Sequence, residues 1–131
     1  MINIPPNQLE VSALLSTDQR IADLNAEFRG KPTATNVLSW PAEDCTPAEA
    51  PFTPEDGFLG DLAFARETIE KEAKEQHLDP ETHFAHLFCH GVLHLLGYDH
   101  QTDADAETME GIERLALARM GIADPYSPKT E

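Results

Sequence analysis

The chain has 131 residues, enough for one domain with one hydrophobic core and too few for two. Its apolar content of 40% excludes global disorder, and no apolar run approaches the length of a bilayer-spanning helix. Twenty-four Asp and Glu against nine Lys and Arg give a formal charge of −15, a field that repels a phosphate backbone and, on composition alone, argues against nucleic acid.

The first ten residues, MINIPPNQLE, lack the basic start and apolar stretch of a secretory leader, which points to a cytoplasmic protein without membrane contact. Two cysteines, Cys45 and Cys89, make no disulfide framework. Cys89 has no C-x-x-C partner and follows the helical pattern of a packed core residue.

In chain order, LEVSALL (9–15) alternates as a strand. A short amphipathic helix follows, capped by Ser16 or Thr17, with Ile21, Leu24 and Phe28 as its apolar stripe and Gly30 just past its end. TNVLSW (35–40) is a second strand, stopped by Pro41. Residues 41–58 form a Pro- and acid-rich loop, long for a compact domain and therefore a candidate for mobility or a role near a site. GDLAFA (60–65) is a third strand, followed by a helix over 66–77. Asp79 and Pro80 open another helix, which carries Phe84, Leu87, Phe88, Leu95 and the first histidines and ends at Gly97. The last helix covers 103–120, with Gly121 beyond it and an apolar face of Met109, Ile112, Leu115 and Ala116. PYSPKTE is a solvated tail.

HGVLHLLGYDH (90–100) sets His90, His94 and His100 in an H-x-x-x-H-x-x-G-x-x-H frame, the ligand spacing of metzincin proteases. Residues four apart share one helix face, and Gly97 lets the chain reverse so that His100 returns beside the helix. Three imidazoles around one point suit Zn²⁺, one ion per chain, with a fourth position open to water as in catalytic sites. His86 lies one turn before His90 on the same stripe. It reads as a packing residue or a support for the ligands, because a fourth protein ligand would close the site. His77 and His83 read as surface residues, and Asp99 either orients an imidazole or faces water. Where those proteases carry a glutamate base, this chain has Gly91, which offers no titratable group. A protease or other zinc hydrolase stays as an alternative, but its base would have to come from elsewhere.

HGVLHLLGYDH resembles the signature of the YbeY family, bacterial endoribonucleases also called rRNA maturation factors. LNAEFRGKPTATNVLSWP, FLGDLAFA and GIADPY resemble further family segments, so the likeness spans roughly residues 9 to 126. It implies an α+β fold: a single domain over 1–131, with a mixed β-sheet packed against helices and a central metal-binding helix. It also implies zinc-dependent cleavage of single-stranded RNA, in maturation of the 16S rRNA 3′ end and in ribosome quality control. The implied partners are ribosomal RNA and the ribosome or its small-subunit proteins. By position, His90, His94 and His100 would be the metal ligands, His94 also counting as catalytic, and Arg29 would contact the substrate phosphate.

Arg29 and Lys31 form the one tight basic pair ahead of the 41–58 loop. A guanidinium grips phosphate in bidentate fashion, although a helix-end cation is also favoured by the macrodipole alone. Two departures from the family stand out. Its members usually begin with another strand and helix before the segment matching LEVSALL, which would leave a sheet edge uncovered. RGKPTATNV also replaces the more usual R-G-K-D-K-P-T-N-V after the arginine. A third reading is a non-enzymatic ribosome-assembly factor with a structural metal, which the acidic surface would help to dock on basic ribosomal proteins.

Overall fold

The computed structural model of the chain describes residues 9–43, 49–99 and 102–122. The elements run β1 (Glu10–Ser16), α1 (Asp18–Arg29), β2 (Val37–Pro41), β3 (Phe58–Ala65), α2 (Arg66–Glu75), α3 (Pro80–Leu95) and α4 (Asp103–Arg119). Among the described residues the sheet has three strands in the order β1-β3-β2. β1 runs parallel to β3 and β2 antiparallel to it. The fold is the expected α+β arrangement with a mixed sheet.

β3 is the centre of the molecule. A central strand covered on both faces needs apolar residues at nearly every position, and Leu59, Leu62, Ala63, Phe64 and Ala65 are all buried. The register slips between Glu10 and Val11 as they pair with Phe58 and Gly60. This bulge breaks the alternation, so Leu59 joins Leu62 and Phe64 on one face with Ile69 of α2 and Leu87 and Leu95 of α3. Ala63 and Ala65 face the other way, against Ile21 of α1 and Leu38 of β2. Gly60, at φ 140°, lies where a Cβ would meet the Trp40 carbonyl oxygen at 2.3 Å, so β2 can cross there only over glycine.

The helix ends follow their start and stop signals. Thr17 accepts from the Arg20 amide at 3.2 Å and Thr102 from the Asp105 amide at 3.1 Å, each satisfying one orphan donor. The starts of α1 and α2 cap each other: the Asp18 amide donates to Glu67 at 2.8 Å, and the Thr68 amide donates to Asp18 at 3.0 Å. α3 begins with Pro80 at its first turn. It closes through Tyr98 N–H to Leu93 O and Gly97 N–H to His94 O, both 3.0 Å, with Gly97 at φ 104°. That is the paired 6→1 and 5→2 closure a left-handed glycine permits.

Several expectations need correction. Leu14 and Leu15 of β1 are about half exposed, and Phe28 is more exposed still, edge-on to Trp40. α2 stops at Glu75 rather than running to His77, which takes a positive φ of 58°. The buried face of α4 is Met109, Glu113 and Leu117, while Leu115 is 68% exposed. His83 is not a surface residue: it is 4% exposed, with Nε2 2.9 Å from Glu72 Oε1. His77 is exposed, as read. Cys45, His100 and residues 123–131, on which the expected tail PYSPKTE falls, lie outside the described residues.

Candidate functional site

A cleft of about 800 Å³ opens between the connection from α1 to β2 and a partly buried flank of α3. Its first wall begins at Arg29, the last residue of α1. Gly30 takes a left-handed φ of 69° and turns the chain, and the buried Asn25 amide donates to the Thr33 carbonyl at 2.8 Å, holding the turn down. The Arg29 guanidinium then donates to the Ser39 carbonyl at 2.6 Å, which fixes the side chain over β2. Lys31 and Asn36 line the same wall. The Asn36 amide donates to Glu72 at 3.1 Å, and Glu72 also bonds His83.

The facing wall is α3. His86, His90 and His94 succeed one another at four-residue steps and all line the cleft, as helical periodicity requires. His90 and His94 aim their Nε2 atoms at each other, 3.0 Å apart. Behind them stands Glu113 of α4, fully buried. One of its oxygens bonds His90 Nδ1, and the other lies 3.2 Å from His86 Nε2. Asp99 borders the cleft beyond the end of the helix. Arg29, His90 and His94, far apart in sequence, therefore share one cavity.

Two imidazole nitrogens so close fit a tetrahedral ion, whose ligand nitrogens at about 2.0–2.1 Å from zinc stand roughly 3.3 Å apart. Among the described residues no three His, Cys, Asp or Glu side chains gather as a metal-holding set; the third member of the sequence frame, His100, lies outside them. The Cys89 thiol is pushed up to about 11 by burial and, next, by the charge of Glu113. It therefore stays protonated at neutral pH, and a thiol is a poor ligand and nucleophile. This agrees with the reading of Cys89 as a packing residue.

Glu113 was missed in the sequence although a signal existed. Met109, Glu113 and Leu117 recur at four-residue intervals, and an acid inside an apolar stripe asks for buried partners. His83, read as a surface residue, likewise finds its partner on another helix, in Glu72 of α2.

The model of the family Endoribonuclease YbeY matches residues 2–121. The chain belongs to the YbeY family. The matched span takes in all seven elements, both walls of the cleft, His100 and Glu113. Among its relatives, the Endoribonuclease YbeY of Dinoroseobacter shibae is 53% identical, over 95% of this chain and 74% of that protein. That of Ruegeria pomeroyi is 48% identical, over 96% and 81%. The solution structure of TM1509 from Thermotoga maritima superposes with a TM-score of 0.55 at 22% identity, covering 94% of this chain and 81% of that one, a likeness of fold. Among the described residues no helix is long and apolar enough to cross a membrane.

Proposed function

We propose that the protein is a zinc-dependent, single-strand-specific endoribonuclease that processes ribosomal RNA, including the 3′ end of 16S rRNA, and serves ribosome quality control in the cytoplasm. The observation that carries this reading is the shared cleft, with Arg29 and Lys31 on one wall and the paired His90 and His94 on the other. Membership of the YbeY family supports the RNA substrate.

His90, His94 and His100 would hold the zinc. When bound, the ion supplies Lewis acidity, which activates water near neutral pH. Arg29, held by Ser39, presents a rigid fork of N–H donors to the scissile phosphate and meets the charge that grows on its oxygens. Lys31 adds a second cation to the same wall. The net charge of −15 opposes non-specific RNA binding, so docking onto a ribosomal particle would bring the RNA to this local basic pair. The protease alternative loses ground, because Gly91 offers no titratable group, and a β-carbon there would already stand 2.9 Å from the buried Leu62 side chain.

The test is digestion of a single-stranded RNA by the purified protein, with and without a chelator, beside His94→Ala and Arg29→Glu. Cleavage should need the metal, the histidine and the arginine, and duplex RNA should resist. Cleavage that survives both chelation and His94→Ala would overturn the proposal. Loss of ribosome maturation in step with melting temperature, with no cleavage by the native protein, would favour the assembly-factor reading.

A further inference from the structure

We propose that Glu113 is a positioning residue for the metal, locking His90 in the one tautomer that presents Nε2 to the ion. This rests on the zinc reading above and extends it to a residue on a different helix.

The starting point is the expense of putting Glu113 where it is. Its side chain is fully buried, and a buried carboxylate is strongly destabilising unless its oxygens are bonded. Both are: Oε1 meets His90 Nδ1 and Oε2 meets His86 Nε2 at 3.2 Å. A carboxylate accepts hydrogen bonds, so a Glu113 oxygen on Nδ1 would draw the proton of the His90 ring to that atom. A neutral imidazole has one protonated and one bare nitrogen, and the lone pair then falls on Nε2. That atom is the one turned toward His94 Nε2, 3.0 Å away. The carboxylate also raises the donor strength of the imidazole it bonds, the usual effect of an acid behind a metal-bound histidine.

His86 has its place in the same device. Its Nε2 is spent on Glu113, so it braces the carboxylate from the second side. A carboxylate bonded by two rings of one helix face cannot rotate about its own axis, and the His90 ring is fixed with it. α4 thereby acts as a backstop to α3 at the height of the cleft. A merely structural tie between the two helices would serve stability alone; a positioning residue governs metal affinity at constant stability.

The experiment measures zinc affinity by competition with a chromophoric chelator, for the native protein, Glu113→Gln and Glu113→Ala, with the melting temperature of each metal-free form. Glu113→Gln keeps the shape and should bind zinc about 10- to 100-fold more weakly while the metal-free melting temperature moves by only a few degrees. Zinc affinity within twofold of native in Glu113→Gln or Glu113→Ala overturns the positioning role and leaves the zinc reading intact. A native protein that binds no zinc overturns both. Should the variants fold poorly, nitrogen-15 spectra of the native metal-free imidazoles decide: His90 should carry its proton on Nδ1, and a proton on Nε2 would overturn the proposal.

Discussion

Gly91 of α3 lies so close to Leu62 of β3 that a β-carbon at position 91 would stand 2.9 Å from Leu62 Cδ2. Leu62 is 1% exposed, so it has little space into which to retreat. The metalloprotease frame needs a glutamate at this position, and here the position is turned into the core. Gly91→Ala should gain about 1 kcal/mol of helix propensity and lose about 1–3 kcal/mol to overpacking. The net is neutral to destabilising by about 2 kcal/mol. Gly91→Glu should be worse, with no metal-dependent hydrolysis of casein; thermal melts and a peptide-turnover assay check both. A well-folded, proteolytic Gly91→Glu would contradict this packing argument.

Arg29 is exposed apart from its bond to Ser39. Arg29→Ala should therefore change stability by no more than about 1 kcal/mol, the net worth of one hydrogen bond. RNA cleavage should fall about 100-fold or more, the usual effect of removing a charge-stabilising donor. Arg29→Lys should recover little of it, because an ammonium lacks the planar fork. Steady-state kinetics alongside melting curves separate the two effects.

Salt dependence offers a check on where the phosphates sit. With Arg29 and Lys31 as the cations lining the cleft, two contacts to a single strand give log K a slope of about −1.4 against log salt. Lys31→Ala should flatten it by about 0.7. A slope steeper than about −4 would mean that the RNA runs over other cations of the surface.

The Cys89 thiol, raised from 9.0 to about 11, has a pH signature. In a Cys45→Ser background without metal, alkylation at pH 8 should be about 100-fold slower than in the unfolded chain, following the two-unit loss of thiolate. The sign for stability follows: the folded state prefers the neutral thiol, so its contribution is complete below pH 9 and lost as pH rises toward 11. Removing the charge in Glu113→Gln should speed the labelling.

The order of elements was legible because the chain marks its boundaries locally. Thr17, Pro80, Thr102, Gly30, Gly97 and Gly121 each stand at the end that their chemistry suits. Pairing was less legible: nothing local announces that β1 lies parallel to β3, or that the bulge at Leu59 and Gly60 redirects a side chain into the core. The histidine stripe could be read because its members lie on one helix. Glu113 was missed and the buried His83 misread, because the partners that make their burial tolerable come from other helices. Periodicity scores an acid or an imidazole as solvent-facing, and so the stripe of α4 was rotated toward Leu115.

Leu62 pairs in register with Ser39, whose carbonyl holds Arg29, and its side chain is also the floor beneath Gly91, one residue from His90. The walls that carry Arg29 and the paired histidines are thus gauged from a single mid-strand leucine, buried in the core and chemically inert. Trimming that side chain would leave each polar group intact yet free the span between them to drift, and a drift of about one ångström is enough to spoil the alignment of a reactive site.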